Sequence, residues 1–344
     1  MTTYLPPTKR RPAVTRQAGL TLIELLVATA ISMLIVLAAA TALLISRQGF
    51  SNVDAASQLR DRARFAEDIL QRLGVQAGHR DIQFVASNTP PSTSGLDAVE
   101  PNVFGFNNRA RSNSHGWSEA NTAARTTGSL GYGSDILVLR FQPTRYSTTE
   151  TKTDQGMIDC SGVAPQTPTT DYAERYASVL HVAQSSDGEP ALMCTRWATT
   201  AGGSADTQPL IHGVENFQVL YGVDGIGPSN SAIPAATSAD SVPERYLRAD
   251  QLTVSDAATT TANWQRVRSI RIGMVLRGPL GSAVDKTQQT YYPFGTAKAS
   301  TTGAAGSMFA SADDPGTVFQ PTADGRLRQV VTFTIHLRNP QGDL

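Results

Sequence analysis

From Leu25 to Ser46 the chain runs for 22 residues without a charged side chain. An uncharged apolar stretch of about 18 or more residues has the length of a membrane-crossing helix rather than of an ordinary core helix. Read as helix from Leu20 to Ile45, the segment covers about 39 Å at about 1.5 Å per residue, more than the roughly 30 Å of a bilayer's hydrocarbon core. The flank sets its orientation. Residues 1–19 hold Lys9, Arg10, Arg11 and Arg16 and no acid, and the basic side of a span stays in the cytoplasm. Everything beyond the span is expected on the other face of the membrane.

Two kinds of export signal fit an apolar run near an N-terminus. A secretory signal peptide would use Leu25 to Leu37 as its apolar region and the small residues Ala38 to Ala42 as its cleavage zone. Glu24, at the front of the run, is foreign to that scheme, because a bare charge deep in a bilayer costs about 3 kcal/mol on insertion scales. Glu24 as an interfacial residue reaching back to the headgroups is the blander account.

The residues around it form a longer pattern: Arg16-Gln17-Ala18-Gly19-Leu20-Thr21-Leu22-Ile23-Glu24-Leu25-Leu26-Val27. A basic leader, a glycine, an apolar residue, and a glutamate five positions after the glycine together resemble the class III leader of type IV prepilins. The resemblance implies cleavage by the prepilin peptidase between Gly19 and Leu20, on the cytoplasmic side, with Leu20 becoming the N-methylated first residue. Most members begin with Phe where this chain has Leu20. A cut at Gly19 leaves the apolar helix attached, so the product stays in the membrane. Glu24 then lies about 6 Å along the helix from the new amine. In a bundle of such helices it can meet the positive N-terminus of a neighbouring subunit, which offsets its burial and gives it a role in assembly.

Beyond the span, Phe50, Val53, Ala56, Leu59, Ala63, Ala66, Ile69 or Leu70, and Leu73 recur every three or four positions, the period of an amphipathic helix. Gly74 is the expected stop. The expected domains are therefore a cytoplasmic leader over 1–19, removed on maturation, a spine helix over 20–73 that spans the membrane over 20–45, and a β-rich periplasmic head over 74–344. Within the head, Ile136 to Phe141, Ser178 to Ala183, Ala191 to Trp197 and Val214 to Tyr221 read as strands. Ile270, Ile272, Met274 and Leu276 alternate, as do Val331, Phe333, Ile335 and Leu337. The stretches 86–131, 225–263 and 278–326, rich in small and polar residues, are expected to be long loops that serve partners or decorate the surface.

The segments Leu210 to Asp224, Arg245 to Asp250, Trp264 to Arg277 and Arg328 to Asn339, with Asp159 to Gly162 and Leu192 to Cys194, resemble the PilW-type minor pilins of type IV pili. That likeness implies an α+β, type IV pilin-like fold, with the long N-terminal helix packed on a large head. It implies a structural role in pilus assembly, in the priming or tip complex, and no enzyme activity. The implied partners are the other minor pilins, the major pilin, the prepilin peptidase and the pilus assembly machinery of the inner membrane. The implied location is the inner membrane, single-pass, and then the fibre at or near its tip. Members often carry an acidic, glycine-rich stretch after the tyrosine that suggests calcium; here Asp224 to Asn230 offers one carboxylate, too few oxygen ligands for that ion.

The two cysteines, Cys160 and Cys194, both belong to the exported part, where a pair of thiols is expected to form a disulfide. Two separate buried thiols are the alternative. No other chemistry assembles in the sequence, and no cofactor or metal is expected. His79, His115, His181, His212 and His336 show no metal-ligand spacing, no Gly-x-Ser-x-Gly elbow occurs, and Asp313-Asp314 reads as part of a solvated polar loop. The chain carries 29 basic and 29 acidic residues, and without residues 1–19 the balance is slightly acidic, so no nucleic-acid partner is expected. Three other readings compete: a minor pseudopilin of a type II secretion system, a DNA-uptake or adhesive receptor head, and a soluble periplasmic enzyme cut near Ala42.

Overall fold

A computed structural model describes residues 19–81, 101–111, 122–147, 151–169, 174–198, 206–225, 241–283, 285–295, 314, 316–339 and 341. The chain divides into two units, Met1–Phe50 and Ser51–Leu344.

The first unit is the apolar part of helix α1 (Leu22–Gln76). Its start is closed by two residues that serve each other. The Thr21 hydroxyl accepts from the Glu24 amide at 3.3 Å, while the Glu24 carboxylate accepts from the Thr21 amide at 3.3 Å and from its hydroxyl at 3.2 Å. This is a capping box, which satisfies amides that a helix start otherwise leaves unpaired. Further along, the hydroxyls of Thr29, Ser32 and Thr41 turn back onto the carbonyls of Leu26, Ala28 and Ala38. These three hydroxyls thus bring no unpaired donor to the surface of the run. Residues 22–50 are exposed along their whole length, and the helix is long and apolar enough to cross a membrane.

In the second unit α1 becomes amphipathic. Ala55 is buried, Leu59, Ala63, Ala66, Leu70 and Leu73 belong to the main core, and most of the intervening charged residues face water. The helix does not stop at Gly74 but continues to Gln76. A side chain at Gly74 would stand 2.6 Å from Ile335 Cγ2, so this glycine lets the C-terminal strand approach the helix. The stop comes at Gly78, whose φ of +79° suits a helix C-terminus. Asn339 completes it, its side-chain amide donating to the carbonyls of Val75 and Ala77 at 3.1 Å each.

Two antiparallel sheets complete the unit. The first has the order β1 (Val103–Phe106), β4 (Ile136–Phe141), β5 (Tyr176–Gln184), β6 (Pro190–Ala198), β7 (Asp206–His212). The second has the order β11 (Arg328–His336), β10 (Val267–Arg277), β8 (Val214–Asp224), β9 (Pro243–Leu247). A ribbon of β2 (Arg109–Arg111) and β3 (Thr122–Ala124) stands apart, and two short helices, α2 (Ala249–Leu252) and α3 (Ala257–Gln265), precede β10. The single residue Gly213 links β7 to β8 and so carries the chain from one sheet to the other; its carbonyl accepts from the Arg277 amide at 2.7 Å. The buried faces of both sheets and α1 enclose one core. Trp264 anchors it from α3, with its ring 4.7 Å from Tyr221 and 6.4 Å from Phe104, both edge-to-face, the arrangement ring quadrupoles favour.

The α+β class, the helix and the strands read from the sequence are present, with β5, β6 and β8 two or three residues longer than expected. The expected loops need correction. The stretch 86–131 contains β1, β2 and β3, and 225–263 contains β9, α2 and most of α3. Val103-Phe104-Gly105-Phe106 is too short to show a period by itself. It becomes a strand because Ile136 to Leu139 supply its partners residue by residue.

Candidate functional site

The residues expected to direct processing and assembly lie at the front of α1. Gly19 is exposed, and a side chain built on it meets nothing within 4 Å. Among the described residues, none places a demand on glycine there. Leu20 is 77 % exposed, and residues 1–18 lie outside the described part. Glu24 is exposed and engaged with Thr21. Thr21 was not singled out by the sequence reading, although a threonine three residues before a glutamate at the head of an apolar run is a capping signal.

Cys160 and Cys194 are joined by a disulfide with a Cα–Cα distance of 5.6 Å. It ties the turn at 159–162 to β6, and both residues are buried in the core. The turn is further shaped by Asp159, whose carboxylate accepts from the amides of Ser161 and Val163 at 2.8 and 3.1 Å. The Cys160 amide donates to the Ser178 hydroxyl at 2.9 Å, so the bridge is anchored on β5 as well.

A charge network that sequence reasoning missed locks the end of the chain onto the head. Arg277 on β10 bridges Glu189 at 2.7 Å and Glu215 at 2.9 Å. Arg328 on β11 grips Glu215 at 2.6 Å and Asp324 at 2.8 Å, and Arg326 reaches Glu189 at 3.0 Å. Burial works against the Glu189 carboxylate, but the hydrogen bonds from Arg277 and Arg326 outweigh it and hold its pKa below the ordinary value. The same contest between burial and Arg328 leaves Asp324 lowered. Asp324 and Arg328 are four residues apart, but Glu189, Glu215 and Arg277 come from far along the chain, and no sequence spacing could have joined them to that pair.

A second polar group is deeper. Asp135, just before β4, accepts from the amides of Asn108 at 3.0 Å and Val219 at 2.8 Å. Burial first, and then the charge of Asp314, raise its pKa well above the carboxylate range. Asp314 is itself buried, 6 % exposed, with Asn107 donating to it at 3.3 Å. It is therefore not part of a solvated loop; Asp313 lies outside the described residues. Arg125 donates to the carbonyls of Arg109, Leu130 and Val182, and its pKa falls to about 10 because burial outweighs the pull of Asp135. Beside it His181, 5 % exposed, hydrogen-bonds through Nε2 to the Thr195 hydroxyl at 3.2 Å. Burial, then the charges of Arg111 and Arg125, lower its pKa to about 3.

The other histidines are dispersed. His79 contacts the Gln142 carbonyl, His212 pairs with Asp187 at the surface, His336 is exposed, and His115 lies outside the described residues. Among the described residues no group of three or more His, Cys, Asp or Glu could hold a metal ion. Asp224 is buried and occupied by the Ser241 amide and Arg268, while 226–230, the rest of the stretch weighed for calcium, is outside the described residues.

Comparison with known proteins gives three findings. Residues 179–339 match the family PilW, Type IV Pilus-assembly protein W. Residues 14–40 match the prokaryotic N-terminal methylation motif. Among solved structures, a type IV-like pilin from Thermus thermophilus aligns over 82 % of this chain and 98 % of its own, at 12 % identity and a TM-score of 0.37. No curated protein matches the chain.

Proposed function

Because this chain is a PilW-type pilin, whose role is structural and tied to the pilus, we propose that it is a low-copy minor subunit that primes or tips a type IV pilus. The observation that carries the reading is the coincidence, in one chain, of the methylation motif with an exposed helix that stays uncharged for 22 residues and leads into a PilW region. In this reading the prepilin peptidase cuts between Gly19 and Leu20, and Leu20 carries the methyl group. The helix then waits in the inner membrane with the head in the periplasm. Assembly moves it into a bundle of like helices, contributed by the other minor pilins and the major pilin. The head is large for a subunit repeated along a fibre, which supports a place at or near the tip. The PilW match favours the pilus over a type II secretion pseudopilus.

Glu24 has two tasks in this scheme. In the separate subunit its carboxylate closes the helix start on Thr21; in the bundle it offers its charge to the amine of a neighbour, where low dielectric strengthens the attraction. Mass spectrometry of the mature chain tests the first step. The expected N-terminal residue is an N-methylated Leu20, whereas a start near Leu43 would mean a secretory signal and end the pilin assignment. Glu24→Ala tests the second step: the variant is expected to be made, cleaved and folded, yet to leave cells that lack the native copy without pili. Normal piliation in those cells would remove Glu24 from assembly.

A further inference from the structure

The head contains a cavity of about 260 Å³ that assembly does not call on, walled by Asn52 of α1, by Ser282, Asp285, Gln289 and Tyr291, and by the segment 321–328. It is slightly smaller than the roughly 300–1,000 Å³ of sites for drug-sized ligands, so it suits one small ring. The charges around it cancel. Arg326 and Arg328 are turned onto Glu189, Glu215 and Asp324, which leaves neither guanidinium to receive an anion. The Asp285 carboxylate is held by the amide and hydroxyl of Thr287 at 2.8 and 2.9 Å. An ion entering here would have to break an existing pair, which disfavours charged ligands.

What remains available is neutral hydrogen-bonding capacity beside apolar wall. The Asn52 side-chain oxygen is shielded from water and has no hydrogen-bond partner, an arrangement that costs free energy until a donor arrives. The Tyr291 hydroxyl donates to the Gln289 oxygen at 3.2 Å and the Gln289 amide reaches Asp285 at 3.5 Å, so ring and amide are held as one unit with an N–H and an oxygen lone pair of Gln289 to spare, and Pro321 and Leu327 add apolar surface. A neutral ring with one face of C–H groups and a rim of hydroxyls meets both demands, its C–H face on the tyrosine and apolar wall, its hydroxyls on Asn52 and Gln289. We propose that this cavity binds a neutral sugar residue, either free or at the end of a glycan.

The test uses the full mature chain in lipid nanodiscs, since alkyl-maltoside detergents carry sugars of their own. Saturation-transfer NMR is recorded with free glucose, galactose, mannose and N-acetylglucosamine, and with glucuronate and sialic acid as charged controls. A parallel arm presents the same neutral sugars as terminal residues of immobilised oligosaccharides. The expected result is transfer to at least one neutral sugar and none to the charged ones. Binding in both arms admits either source, and binding in the immobilised arm alone assigns the site to a glycan. Asn52→Leu and, at an exposed position, Gln289→Leu should each weaken binding at least about tenfold, with unfolding temperature confirming that the head is intact. Absence of transfer to every neutral sugar in both arms, preference for the charged sugars, or binding unchanged in both variants would overturn the proposal. None of these outcomes touches cleavage or piliation, so the assembly reading stands or falls separately.

Discussion

Two glycines in this chain do opposite work, and the difference is visible only in what surrounds them. Gly74 sits against Ile335, so Gly74→Ala forces a methyl group to within 2.6 Å of a buried side chain. The better helix propensity of alanine returns about 1 kcal/mol, while overpacking costs about 1–3 kcal/mol. A net loss of head stability is expected, read as a lower midpoint in denaturant. Gly19 has open space around it, so Gly19→Ala should leave that midpoint unchanged and instead block maturation, read as retention of the leader on a gel. A stable head with normal maturation in Gly19→Ala would remove the peptidase as the reason for this glycine. The sequence pattern singles out Gly19 and Glu24 because the roles proposed for them rest on neighbours a few positions away. It misreads Gly74 as a helix stop and Asp314 as solvated, because what decides each is a contact from far along the chain: Ile335 for the first, Asn107 and the Asp135 charge for the second.

At the scale of elements, the disulfide shows how a short polar turn is fixed to a sheet. The turn at 159–162 has few apolar side chains to bury, and Cys160 gives it a covalent hold on β6. Closing a loop with a sequence separation of 34 restricts the unfolded chain by about 4 kcal/mol in the entropy account, a large share of a typical domain's roughly 5–15 kcal/mol. Cys160→Ser is therefore expected to reduce head stability and cellular abundance while leaving cleavage intact; thiol labelling of the denatured, unreduced wild type should find no free cysteine. Two labelled thiols per chain would refute the bridge. Elements with a strong local pattern were legible: the uncharged run and then the three-to-four spacing of α1, the alternation in β10, the continuous apolar run of β4. Those whose identity comes from a partner were not. β1, β2, β3 and β9 have three to five residues each, below the length at which a period can be counted, and they form because a longer strand or a second short one lies alongside. The network of Arg277, Arg328, Glu189 and Glu215 was hidden for the same reason.

For the whole molecule, the buried charges make stability depend on pH in a direction that can be worked out. His181 has a pKa of about 3 in the folded chain and about 6.5 once unfolded. Between those values the unfolded chain binds the additional proton, so stability rises with pH; the contribution is complete above about 6.5 and is lost as the pH falls toward 3. Integrated from pH 7 to pH 5, one such histidine removes about 2 kcal/mol. Burial is the first reason that protonation is refused, and the cationic Arg111 and Arg125 facing the ring add to it. Asp135 pulls the other way. Its raised pKa means that the folded chain takes up a proton as the pH falls, which relieves a buried charge and stabilises the head. Glu189 and Asp324, both lowered, add a loss of stability only below their ordinary range near 4. The His181→Asn variant isolates the histidine from these. Relative to wild type it should lose about 2 kcal/mol less between pH 7 and pH 5, measured as the shift of the denaturant midpoint at the two pH values. Equal pH slopes in the two proteins would mean that His181 accepts its proton in the folded head and that neither its burial nor the charges of Arg111 and Arg125 control it.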